Sequence, residues 1–268
     1  MKADLHIHTT HSDGAYAVPE ILEMTRRLDY IAITDHDTFA GAKEAIALSP
    51  ARPKIIYGIE LSTDYRGESV HLLGYFPDPA ATGGLEERLL EQRKNRRARA
   101  DAIRDKLRKL FNIEIDFSAY EGTESITRGT IASAIIERGY PYTRQEIFDK
   151  MIGSGRPAYL PSTKLSTRDG IELIKENGGL VFLAHPVLLQ KIEPEEIISM
   201  GVDGIEAIYP ANNKADEKKF RDLAREWRVL ISGGSDFHLL DDNMHGKVGK
   251  TTLRGKDLKN FLRALDVL

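Results

Sequence analysis

With 268 residues, 41% of them hydrophobic, the chain is long enough for one large domain, or a domain with an insert, around a full core. Its 38 Lys and Arg against 41 Asp and Glu leave a formal net charge of -3, which argues against a general nucleic-acid or membrane surface, and no apolar run is long enough to cross a bilayer. Cysteine is absent, which excludes disulfides, thiolate zinc sites and a Cys nucleophile, so any metal site must use His, Asp and Glu. The opening MKADLHIH has no apolar signal segment, and the expected location is cytoplasmic.

In chain order, ADLHIHT reads as a strand and VPEILEMTRRL as a helix, with Pro19 suited to its first turn. YIAITDHD is the next strand and GAKEAIAL the next helix. KIIYGIEL and SVHLLGYF are strands separated by a turn at TDYRGE, and PDPAATGG breaks the pattern. A long charged helix follows, LEERLLEQRKNRRARADAIRDKLRKL, then shorter helices at TIASAIIERG and TRQEIFDKM and a loop at GSGRPAYLP. Alternation then resumes. TRDGIELIKENG, PEEIISMG, KADEKKFRDLAREW and KDLKNFLRAL read as helices, and GLVFLAHP, VDGIEAIYP and RVLISGGSD as strands.

Strands alternating with helices imply a mostly parallel sheet, and seven of them suit a closed or nearly closed (β/α) barrel. The stretch 84–164 interrupts the alternation and reads as a helical insert between barrel segments 1–83 and 165–268.

In such a barrel, chemistry collects at the C-terminal ends of the strands. Six of the eight histidines lie on or just past an apolar run: His6, His8, His36, His71, His185 and His238. Glu60 and Asp236 occupy similar places, and Asp35 and Asp37 flank His36. His6 and His8 are two apart on a strand, so their side chains share a face and can grip one cation. Imidazole and carboxylate donors without thiolate suit Zn, Mn, Fe or Co. Glu206, on a late strand, reads as structural, and His245 as a loop histidine. The arginines at 93, 96, 97 and 99 alternate with acidic residues and read as a solvated helix face rather than an RNA contact.

DLHIHTTHSDG, AITDHD, GIELS, FLAHP and GSDFH, in that order, resemble the polymerase and histidinol phosphatase (PHP) superfamily over nearly the whole chain. The resemblance implies an α/β fold, a distorted (β/α)7 TIM-like barrel with an inserted helical subdomain capping the active site. It also implies phosphoester hydrolysis with two or three divalent ions (Mn, Fe or Zn) and water activated by them as nucleophile. Carried over by motif, a first metal takes His6, His8, Glu60 and Asp236. A second shares Glu60 and takes His71 and His185. A third takes Asp13, His36 and His238, with His11 competing for the place of Asp13. His6, His8, Glu60, His185 and Asp236 carry the catalytic role in this scheme, and Asp35 and Asp37 orient imidazoles from behind.

Small stand-alone enzymes of this superfamily act on nucleoside 3',5'-bisphosphates or on the 5' ends of short RNAs. The expected partner is therefore a phosphorylated small molecule, nucleotide or short oligonucleotide, with no membrane and no obligate protein partner. Arg128, just before a helix, with Arg156 and Lys164, are the phosphate candidates, and Tyr159 can stack on a base. Relatives often have His where Thr130 stands here. Histidinol-phosphate phosphatase and a non-catalytic metal-binding accessory module are the alternative readings.

Overall fold

A computed structural model describes residues 1–48, 50–118, 126–240 and 245–267. The chain divides into two compact units, one comprising Met1–Glu86 with Leu165–Leu268 and the other Glu87–Lys164. No described helix is long and apolar enough to cross a membrane.

In chain order the first unit contains β1 (Lys2–Ile7), α1 (Val18–Thr25), β2 (Tyr30–Ile33), α2 (Ala40–Leu48), β3 (Lys54–Tyr65) and β4 (Glu68–Phe76). A long helix, α3 (Gly83–Phe111), runs on into the second unit, which adds α4 (Arg128–Glu137) and α5 (Arg144–Ile147). The first unit resumes with β5 (Leu165–Ser166), α6 (Thr167–Glu176), β6 (Leu180–Leu183), α7 (Pro194–Ile198) and β7 (Gly204–Ile208). It ends with α8 (Lys214–Trp227), β8 (Leu230–Gly233), β9 (Leu253–Arg254) and α9 (Gly255–Ala264).

The strands form one sheet in the order β8-β7-β6-β4-β3-β2-β1-β9, with β5 paired to β3. An Ile7–Phe237 bridge and a hydrogen bond from His8 N to Phe237 O (3.0 Å) bring the end of β1 to the chain leaving β8. The result is the mixed α/β, nearly closed barrel-shaped sheet that the alternation implied.

Two departures from the sequence reading affect the site. The turn expected over TDYRGE is confined to Arg66 and Gly67, both at positive φ (51° and 83°), with Asp64 Oδ1 accepting from Gly67 N at 3.0 Å. Thr63, Asp64 and Tyr65 instead continue β3, which pairs antiparallel with β4 over its length. β4 is antiparallel to both β3 and β6. This reversal explains His71: in a strand running the other way, the early residues lie at the end where the parallel strands finish. The short strands β5 and β9 carry too few residues for a period-2 pattern to show.

The sheet is held by an apolar cluster including Leu5, Ala32, Ile56, Leu73, Tyr75, Phe182, Phe261 and Leu262. Each such Leu, Ile or Phe contributes about 2 kcal/mol by leaving water. Tyr75 is buried among them because its hydroxyl has a partner, donating to Leu5 O at 2.9 Å. The α8 helix shows why its segment is helical: Asn213 accepts from the N–H of Ala215 and Asp216, while Phe220, Leu223 and Ala224 form the buried stripe.

The second unit has its own core, with Ala100, Ile103 and Leu107 of α3 clustered with Ile113, Phe117, Ile131, Ile135, Ile147 and Ile152. The expected helix at TRQEIFDKM is α5 followed by a wider π turn at Phe148–Ile152. The arginines of α3 are not all on a solvated face. Arg96 is buried, and Arg99 donates to the carbonyls of Leu160 and Pro161. Arginine stems cover apolar surface well, and alternation of charge along a helix does not reveal this.

Candidate metal centre

The first unit gathers its polar residues at one place. β1 delivers His6 and His8, with ring centroids 5.2 Å apart. β3 delivers Glu60, and β4 delivers His71. The loops after β2, β6 and β8 deliver His36, His185 and Asp236 with His238.

Glu60 lies at the centre. Its Oε1 is 2.9 Å from His71 Nδ1 and 2.9 Å from His185 Nε2. Its Oε2 is 3.1 Å from His6 Nε2, 3.0 Å from His8 Nε2 and 3.3 Å from His36 Nδ1. Asp236 Oδ1 is 3.1 Å from the Nε2 atoms of both His6 and His8. Asp13 Oδ1 lies 3.2 Å from His238 Nε2, and its Oδ2 lies 3.7 Å from His36 Nε2. Four groups of donor atoms therefore stand close together among the described residues: His6, His8, Glu60 and Asp236; His36, Glu60 and His71; His8, Asp13, His36 and His238; and Asp236, His238 and His245.

The donor set fits cations. His6 Nε2, His8 Nε2, His36 Nδ1, Glu60 Oε2 and Asp236 Oδ1 are all buried, and none has a hydrogen-bond partner. Four of these atoms converge on one another and His36 Nδ1 adjoins Glu60 Oε2, an arrangement that is costly unless something positive lies between them. Donors held about 2.1 Å from one centre lie about 3.0–3.4 Å apart, depending on geometry, which matches the spacings around His6 and His8.

Electrostatics agree. Burial opposes a charge on His6, yet the carboxylates of Asp236, Glu206 and Glu60 hold its imidazole well above the usual range. His8 is likewise pushed up to about 10, against its burial, by Asp236 and Glu60. Glu60 and Asp236 are themselves held well below the ordinary carboxylate range, despite burial, by the imidazoles around them. Burial takes His36 down to about 4, with the charges of His8 and His71 reinforcing it against the pull of Glu60. The cluster favours positive charge, which bound cations can supply, since metal binding displaces protons from its ligands.

Strained backbone marks the same place. His185 (φ 26°), Asp236 (φ 51°) and Asp37 (φ 53°) adopt a conformation that costs a non-glycine residue about 1–3 kcal/mol and persists where surrounding contacts impose it.

One supporting residue differs from expectation. Asp35 does not touch an imidazole. It accepts from Thr9 N (2.7 Å), Thr9 Oγ1 (2.8 Å) and Ser12 Oγ (2.6 Å), tying down the loop that carries Asp13. Asp37 accepts from Ser62 N at 2.8 Å and braces β3 beyond Glu60. Buried Asp4 accepts from Ser235 N (2.8 Å) and Gly249 N (2.7 Å), fixing β1 to the chain that carries Asp236. His11, the competitor of Asp13, turns instead to Glu44, with Nε2 2.6 Å from Oε2.

Two residues read as bystanders are at the site. Glu206 is fully buried against His6, and His245 stacks on His238 with ring centroids 4.2 Å apart and Nε2 3.8 Å from Asp236 Oδ2. A carboxylate in the middle of a buried strand was the available signal for Glu206. For His245 the chain offered none, because it lies past the strand in a glycine-bounded loop.

The phosphate candidates Arg128, Arg156 and Lys164 all belong to the second unit. Arg128 is the first residue of α4 and stands over the Tyr159 ring at 5.5 Å from its centroid. Thr127 caps that helix, its hydroxyl accepting from Thr130 N at 3.1 Å, and the Thr130 hydroxyl completes the capping box by accepting from Thr127 N at 3.2 Å. A histidine at 130 would give up this capping box.

Comparison with known proteins agrees with the fold and the cluster. The PHP domain model matches residues 4–96. The chain is 31% identical over 254 residues to a 5'-3' exoribonuclease of Salmonella typhimurium, covering 88% of this chain and 84% of that protein. It is 28% identical over 251 residues to a 3',5'-nucleoside bisphosphate phosphatase of Chromobacterium violaceum, covering 88% and 86%. A solved structure from Bifidobacterium adolescentis, assigned to the metal-dependent phosphoesterases, superposes with a TM-score of 0.73 at 27% identity, covering 97% of this chain and 95% of that one. Fold and site together define a metal-dependent phosphoric ester hydrolase. The chain belongs to the PHP family.

Proposed function

We propose that the chain hydrolyses phosphate esters of nucleotides, either nucleoside 3',5'-bisphosphates or the 5' ends of short oligoribonucleotides. The observation that carries this reading is the convergence of four orphaned, buried donor atoms, His6 Nε2, His8 Nε2, Glu60 Oε2 and Asp236 Oδ1. The relatives named as acting on RNA 5' ends and on nucleoside bisphosphates support the substrate class.

His6, His8, Glu60 and Asp236 would hold one divalent cation, Glu60 with His71 and His185 a second, and Asp13, His36 and His238 a third; Mn, Fe and Zn all suit these donors. Cations bound there supply an acidified water and positive charge for a phosphate group. The protein supplies placement. Glu60 joins two donor groups through its two oxygens and fixes their separation. Asp35 holds the Asp13 loop in register with His36 and His238. Arg128, Arg156 and Lys164 take a further phosphate of the substrate, and a guanidinium can grip it with two parallel hydrogen bonds.

A phosphate-release screen over nucleotides, 3',5'-bisphosphates and 5'-phosphorylated short RNAs, with Mn added, tests the substrate class. Release from nucleoside bisphosphates or RNA 5' ends well above that from histidinol phosphate supports it, and the reverse order contradicts it. Arg128→Ala is expected to raise KM for a bisphosphate by about tenfold or more, the loss of one charge-assisted contact, while changing KM for a simple aryl phosphate little. Equal effects on both substrates remove Arg128 from phosphate binding.

A further inference from the structure

We infer that β7, which contributes none of the nine proposed ligands, is the strand that sets cation affinity, through Glu206 on it and Tyr209 just beyond it acting as positioning residues. The inference rests on the cation-holding reading of the cluster.

Glu206 is fully buried, in the middle of an apolar strand. Its Oε1 is 3.0 Å from His6 Nδ1, and its Oε2 accepts from His185 N at 2.8 Å. One carboxylate therefore does two things. As a carboxylate, Glu206 accepts from an Nδ1–H of His6, and a proton held on Nδ1 leaves Nε2 to face a cation beside Glu60 and Asp236. The same carboxylate anchors the backbone of His185 at its strained φ of 26°, from which the His185 ring reaches Glu60. Tyr209 makes the third tie. Its hydroxyl donates to Asp236 Oδ2 at 2.9 Å, directing Oδ1 toward His6 and His8, and its ring stands 5.5 Å from that of His185.

Three ligands from three different strands or loops are thus oriented by Glu206 of β7 and Tyr209 just beyond it. The strand order places β7 between β6 and β8, the two strands that lead into the His185 and Asp236 loops. Neither residue is free to approach the cation position itself, because both spend their polar atoms on ligands. Substitution should therefore weaken binding without deleting a ligand.

The test is the affinity of the full-length protein for Mn(II), measured by competition with a chelating dye, for wild type, Glu206→Ala, Glu206→Gln and Tyr209→Phe, with circular dichroism to confirm folding. Glu206→Ala is expected to bind Mn(II) about 10–100-fold more weakly, with activity recovering as Mn is raised. Glu206→Gln, whose single carbonyl can accept from only one of the two N–H donors, should fall between that variant and wild type. Tyr209→Phe keeps the ring packing and should weaken binding by a smaller factor. Folded Glu206→Gln and Tyr209→Phe proteins with wild-type Mn(II) affinity overturn the inference. Should wild type itself bind no Mn(II), the cation-holding reading fails and this inference with it, a result distinct from equal binding by all four proteins.

Discussion

Glu60→Gln is expected to lower kcat/KM by at least about a thousandfold, roughly 4 kcal/mol of transition-state stabilisation, and to abolish binding at the two donor groups that share Glu60. No other carboxylate in the cluster touches so many partners: five imidazoles lie within 3.3 Å of its two oxygens. Glutamine has the same shape, so packing is preserved. It turns one of those oxygens into a donor, which faces acceptor nitrogens where a cation should sit, and it removes the charge that joins the groups. The fold itself should survive, because imidazoles deprived of a carboxylate can shed their protons and stay buried as neutral rings. Circular dichroism, metal content and steady-state kinetics on one preparation check this. A folded Glu60→Gln protein with normal metal content would remove Glu60 from the role of shared ligand.

Gly234→Ala is expected to damage stability and site together. Gly234 follows β8 and packs directly on β1: a Cβ here would overlap His6 N and come within 2.5 Å of the His6 Cβ and 2.9 Å of its Cα. These are main-chain atoms of a central strand and the root of a buried side chain, none of which can rotate away. The chain leaving β8 must therefore move off β1, which costs on the order of 3 kcal/mol and lowers the unfolding midpoint by roughly 5–10 °C. The same displacement separates His6 from Asp236, two residues further along, so metal affinity should fall with stability. Calorimetry and metal titration of the variant provide the check, and an unchanged melting temperature would mean that the close approach of these strands is not as described.

How much of this was legible in the chain depended on whether the signal was local. The pair of imidazoles two apart in LHIH, the acidic residues flanking His36 and the run GSDFH all announce themselves within a few residues, because strand alternation fixes which side chains share a face. The alternation of strands and helices gave the sheet and its crossovers by the same logic. His71 was readable as a site residue only through the ordered set of the other motifs; that β4 runs antiparallel, which brings His71 to the common end, depends on pairing with β3 and β6.

The supporting residues were harder. Glu206 looks like one acidic residue in GIEAI until the order β6-β7-β8 is known, and only then does its position between two ligand-bearing loops have meaning. Asp35 sits beside His36 in sequence yet serves the loop after β1, since it points at Thr9 and Ser12 across a parallel strand pair. Sequence proximity suggested an imidazole partner, and register between strands decided otherwise. The burial of Arg96 was missed for a related reason: charge patterning describes a helix alone, and contacts made by the aliphatic stem are set by its neighbours.

The account stands on the claim that the buried donors of the barrel cage divalent cations. Anomalous X-ray diffraction from crystals of the full chain grown with Mn(II) tests it most directly. The expected result is a strong peak within about 2.2 Å of His6 Nε2, His8 Nε2, Glu60 Oε2 and Asp236 Oδ1, with further peaks beside His71 and His185 and beside Asp13, His36 and His238. A map with no anomalous density among these atoms, at Mn(II) concentrations that support activity, would contradict it.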